Sequence, residues 1–113
     1  MAETLLVIGE SIGGSRRRSV SQHPGPASYT QMTTGPVAGG DVIGAAALGL
    51  RTIETCNVPV SADDGVHGVV AVLVGKEPTQ VTLAWFTSLA LVAQVGALGN
   101  LSALTVRVEA TGL

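Results

Sequence analysis

The chain has 113 residues, a formal charge of −2 and one cysteine. That length makes one domain, 1–113, with about 65% of the unfolded surface buried on folding. The charge gives no general attraction to nucleic acid or anionic membrane, and a lone Cys56 excludes an internal disulfide. Charged residues are 12% of the sequence, about half of what soluble domains carry, and the 46% apolar content is mainly Ala, Val and Leu. A surface so poor in charge suits a chain that is covered by neighbours, so an oligomer or assembly component is expected.

In chain order, residues 4–8 (TLLVI) form an apolar run of buried-strand length. The run is too short for a signal-peptide core, and no basic region precedes it. Residues 15–22 (SRRRSVSQ) are polar and strand-length, with Arg16 and Arg18 on one face and Arg17 on the other. HPGP at 23–26 is a turn, and residues 27–34, with Tyr29 and Met32 among hydroxyl side chains, read as an exposed or edge strand.

The stretch 39–58 (GGDVIGAAALGLRTIETCNV) organises the chain. Gly39 and Gly40 permit a sharp reversal at positive φ, and Asp41 suits a turn exit or a cap. AAAL at 45–48 supports only one helical turn, which Gly49 ends. Leu48 and Leu50 anchor under a sheet, and a strand with Ile53 and a buried Cys56 follows.

Beyond a polar loop at 59–65, residues 66–74 are a valine-rich strand and GKEP at 75–78 connects it to a partner at 81–86. Residues 78–106 contain no charge, but the unbroken apolar runs are far shorter than the ~20 residues of a membrane span. Residues 89–95 are therefore expected to be a second short core strand. Residues 103–111 alternate most cleanly, with Leu104, Val106, Val108 and Ala110 on one side. Together these signals predict an all-β domain, a small β-sandwich or jelly-roll barrel of seven or eight short strands with one helical turn near 44–48.

Candidate chemistry is sparse. LLVIGESIGGS at 5–15 resembles the first block of the SGNH hydrolases, which would make Ser11 a nucleophile, and Asp64-Gly65-Val66-His67 has the D-x-x-H spacing of that family. Glu10 stands where the family has aspartate, the D-x-x-H lies mid-chain, and amphipathic helices are missing. Asp41, Asp63, Asp64 and His67 match no calcium loop or zinc set, and no metal or other cofactor is expected. Arg16, Arg17 and Arg18 lack interleaved aromatics, which disfavours nucleic acid. Together with Trp85 and Phe86 they are the residues expected to contact a protein partner.

Five pieces in order resemble the decoration, or cement, proteins of tailed-bacteriophage heads: GGSRRRSV at 13–20, SYT at 28–30, the 39–58 stretch, VTLAWF at 81–86 and NLSALTVRVEATGL at 100–113. The resemblance implies a non-enzymatic, β-rich virion protein, commonly trimeric, that sits on the capsid surface and holds major capsid subunits together. The rival readings are a tail or baseplate component, a cellular β-sandwich binding module, and the serine hydrolase.

Overall fold

A computed structural model of the protein describes residues 4–13, 16–33, 38–97 and 99–113. They form seven strands: β1 (Thr4–Gly13), β2 (Arg16–Pro24), β3 (Asp41–Gly44), β4 (Ile53–Asn57), β5 (Gly68–Val72), β6 (Gln80–Phe86) and β7 (Thr105–Gly112), with one 3-10 turn over Ala45–Leu48. One sheet has the order β1-β2-β7-β4, the other β3-β6-β5, and every neighbouring pair is antiparallel. The result is the expected small all-β, sandwich-like fold.

The core lies between the sheets. Val106, Val108 and Ala110 of β7 join Val81, Leu83 and Trp85 of β6, with Tyr29, Ile43, Leu48, Leu50 and Ile53 in the same apolar cluster. The period-2 signal of β7 is realised residue by residue, with those three side chains buried and Arg107 exposed. Opposite them β2 places Ser19, Ser21 and His23, all buried. The inner face of β2 is thus polar, and its hydrogen-bonding groups need partners inside.

The central stretch folds as its residues dictate. Gly39 and Gly40 take φ of 71° and 77°, and Gly49 takes 73°. A Cβ on Gly40 would collide with the Thr82 methyl, so the backbone approaches β6 as only glycine allows. The N–H groups of Gly49 and Leu50 return to the carbonyls of Ala46 and Ala45 at 3.1 and 3.0 Å, closing the helical turn. Leu48 and Leu50 are buried.

Two expected strands are loops. Residues 27–32 do not form an edge strand; they cross the mouth of the sandwich, and Tyr29 is fully buried. Their backbone is tied to the 94–104 segment instead: Gly25 N–H donates to Leu104 O, Leu101 N–H to Pro26 O and Tyr29 N–H to Gly99 O, each within 2.9 Å. The large ring outweighs the polarity of its neighbours, because its burial is worth more than a half-exposed strand position offers. His23 and Pro24, expected in a turn, still belong to β2.

Residues 89–95 are not a core strand. The chain folds back after Phe86, with Thr87 N–H on Ala93 O and Val95 N–H on Trp85 O, both at 2.9 Å. Leu89 and Val92 consequently point to solvent. Cys56 is half-buried against the core rather than fully enclosed. No helix among the described residues is long and apolar enough to cross a membrane.

Candidate functional site

On the polar inner face of β2 the Ser19 hydroxyl is buried without a hydrogen-bond partner, whereas His23 is met across the sandwich. His23 Nε2 lies 2.5 Å from Asp41 Oδ2, and the Trp85 indole N–H donates to the same oxygen at 3.0 Å. Asp41 opens β3 directly after the glycine turn, so the backbone reversal aims its carboxylate at β2. One buried oxygen thereby joins β2 of one sheet to β3 and β6 of the other. A second polar cluster closes the mouth. The Gln94 side chain accepts from Tyr29 Oη at 2.6 Å and Met32 N–H at 2.8 Å, and donates to Met32 O at 2.8 Å. Both clusters are internal struts whose polar atoms are consumed by each other. Sequence reasoning marked Asp41 as a turn exit or cap and weighed it beside Asp63, Asp64 and His67 for a metal, but nothing local signals partners 18 and 44 residues away.

The D-x-x-H motif is a compact turn. Asp64 Oδ1 accepts the N–H groups of Val66 and His67, and Oδ2 meets His67 Nδ1 at 2.6 Å. The Val66 N–H, then the His67 ring, hold the Asp64 carboxyl at about 2, below its ordinary 3.8. A depressed carboxyl stabilises the fold above its unfolded value, and that contribution is lost as pH falls through the folded value. Asp64 should therefore make unfolding stability decline between pH 3.8 and about 2. In acid titrations followed by chemical denaturation, Asp64→Asn should flatten this part of the profile; an unchanged slope would contradict the assignment.

Ser11 is not brought to that pair. It stands opposite Arg17, at the Gly112 end of β7. The 61–67 loop is fixed at the other end, where Asp63 N–H donates to Thr105 O and Asp63 Oδ1 accepts from Thr105 N–H. Pro24, the residue opposite Thr105, is seven steps along β2 from Arg17, which is about 23 Å of strand. A serine–histidine–aspartate arrangement through Ser11 and His67 is not assembled. Nor do the described residues contain a group of three or more His, Cys, Asp or Glu placed to hold a metal ion.

The arginines fall as their alternation requires. Arg16 meets Glu54 of β4 at 3.1 Å, Arg18 meets Glu109 of β7 at 3.4 Å, and Arg107 meets the same carboxylate at 3.0 Å. These pairs lace the outer face of the four-stranded sheet, while Arg17 stands on the other face opposite Gly112. Trp85, expected at a partner contact, is wholly inside the core and cannot offer a surface. Phe86 is half-buried at the end of β6.

The outer face of the three-stranded sheet differs in kind. Val42, Thr82 and Val72 lie side by side in register across β3, β6 and β5. With Ala38, Val74 and Glu77 they line a groove of about 440 Å³. Glu77 is the one ionisable side chain along it. Sequence reasoning missed this groove because valines at strand positions read as core whichever face they take. No family model, curated protein or solved structure matches the chain.

Proposed function

We propose that the protein is a structural component of a phage virion that decorates the head and stabilises the capsid lattice by bridging major capsid subunits. It acts at the capsid surface as a self-associated unit, a homotrimer, and performs no catalysis. The observation that carries this reading is the division of the exterior. One sheet presents a face of paired charges, Arg16–Glu54 and Arg18–Glu109–Arg107. The other presents an apolar groove, with Val42 and Val74 exposed. A small domain with one polar and one greasy face is suited to lying between a wet surface and a neighbour. The resemblance to head decoration proteins supplies the partner.

The mechanism is mass action. A protein that binds the assembled shell but not dispersed subunits favours the shell by RT ln(1 + [L]/Kd), and a trimer engaging several sites gains avidity without new contacts. Arg16, Arg17, Arg18 and Phe86 remain the candidate partner contacts. The test compares shells assembled with and without the protein. Decorated shells should melt at higher temperature by scanning calorimetry, and equal melting would remove the role.

A further inference from the structure

The turn that carries the D-x-x-H spacing also holds a reactive pair. Asp64 is followed by Gly65, and no other Asp or Asn in the chain precedes a glycine. In such a pair the glycine nitrogen can attack the carboxyl carbon of the side chain, because no Cβ on the glycine shields it. Residues 63–66 are exposed, so water reaches the bond. Space around Gly65 is open as well: its φ is 68°, and a Cβ there would meet nothing within 4 Å. Access therefore does not protect the pair; the hydrogen bonds of the turn do.

We infer that Asp64–Gly65 is an aspartate-isomerisation site, shut in the folded turn with His67 as its latch and reactive once the turn opens. The Gly65 nitrogen bonds to Asp64 Cγ and gives up its proton. One carboxyl oxygen leaves as water, and a five-membered imide remains. Water then adds back to one of the two imide carbonyls. Attack at Cγ restores aspartate. Attack at the main-chain carbonyl routes the chain through Cβ and Cγ, an isoaspartate of unchanged mass. One water leaves and one returns, so no co-reactant is required.

Ring closure destroys contacts that the folded turn makes. The Gly65 N–H, which donates to Ala62 O at 3.0 Å, is lost. One Asp64 oxygen is lost with it. If that is Oδ1, the Val66 and His67 N–H groups lose their acceptor, now at 2.9 and 3.1 Å; if it is Oδ2, the His67 Nδ1 contact at 2.6 Å goes. The flanks resist opening too, with Asp63 N–H on Thr105 O and Ala62 N–H on His67 O, both at 2.9 Å. Ionisation adds to the protection. The oxygen leaves from the neutral carboxyl, whereas the Val66 N–H and the His67 ring favour the carboxylate. At pH 5 the neutral form is more than tenfold scarcer in the turn than in the unfolded chain. Isoaspartate adds a methylene to the main chain, so the altered turn no longer spans its anchors on Thr105 and His67 as before. Modification is a one-way record of opening.

The experiment is peptide mapping. Folded parent, parent unfolded in urea and folded His67→Ala are incubated at pH 5 and digested with trypsin, which releases the pair in peptide 52–76. Isoaspartate reads as a second chromatographic peak of the same mass. The His67 side chain is 29% exposed, so His67→Ala should keep the parent's tryptophan fluorescence. Isomerisation should run at least tenfold faster in urea than in the folded parent, and at least threefold faster in folded His67→Ala. Asp64→Asn separates the hydrogen bonds from ionisation, because its side chain leaves as ammonia and the product changes mass. That variant should still react more slowly folded than in urea. Equal rates for folded and unfolded parent, or for folded and unfolded Asp64→Asn, would overturn the protection by the turn. A His67→Ala variant no faster than the parent would overturn the latch, and a slower one would show the imidazole passing a proton to the leaving oxygen instead.

Discussion

Replacing Asp41 with alanine should destabilise the protein by about 3–5 kcal/mol, because two enclosed side chains lose the oxygen they share. The Asp41 and His23 side chains are only 10% and 8% exposed. Removing the carboxylate strands two buried donors at once, His23 Nε2 and the Trp85 indole N–H. Each unsatisfied group costs about 1–3 kcal/mol, so the two together reach the same range. At about 4 °C per kcal/mol for a domain of this size, the melting temperature should fall by roughly 12–20 °C. Asp41→Asn keeps the shape and one acceptor oxygen, and should recover part of the loss. The only tryptophan in the chain sits in the cluster, so its fluorescence reports the transition in urea directly. A shift below about 1 kcal/mol would show that the bridge between the sheets is replaced by solvent.

That bridge also shows where the sequence stops being readable. Local pattern suffices for β7, whose alternation is met residue by residue, and for the glycine reversal at 39–40, since positive φ is a property of the residue itself. It suffices for the 45–48 turn for the same reason. It fails at Tyr29 and at Leu89–Val95, and both failures have one cause. The fate of each segment is set by the other: Tyr29 reaches Gln94 across 65 positions, and Met32 pairs with the same side chain across 62. A ring among threonines and serines looks like an exposed strand until the partner that accepts its hydroxyl is known. An apolar run after β6 looks like core until the hydrogen bonds from Thr87 N–H to Ala93 O and from Val95 N–H to Trp85 O fold it outward. The candidate chemistry divides in the same way. The opposed faces of Arg16, Arg17 and Arg18 follow from strand alternation. The separation of Ser11 from His67 is a matter of sheet order, which no spacing in the chain encodes.

The largest loss from a single side chain should come from Tyr29→Ala. The ring is fully buried in the common core, and deleting a buried aromatic costs about 3–5 kcal/mol through lost contacts and the void left behind. Its hydroxyl adds a separate contribution. β3 begins at Asp41, opposite Leu83, so Trp85 extends past its partner strand on that side. The Trp85 backbone N–H donates instead to Tyr29 Oη at 3.1 Å, and the hydroxyl in turn donates to Gln94 Oε1 at 2.6 Å. Tyr29→Phe keeps the ring and removes the acceptor, so it should cost about 1–3 kcal/mol. The ordering parent, Phe, Ala is the prediction, read by urea denaturation at constant m-value; a phenylalanine variant as stable as the parent would show that the Trp85 N–H finds another acceptor. Titration gives an independent check. Burial pushes the phenol above its ordinary 10.0, ahead of the hydrogen bonds from Trp85 and Met32 that pull it down. A raised folded value means that the stabilisation is complete below pH 10 and is lost as pH rises through the folded value. Tyr29 is the only tyrosine, so absorbance near the phenolate band follows it without interference. The native protein should ionise later than the urea-unfolded chain, and the alkaline decline in stability should vanish in Tyr29→Phe.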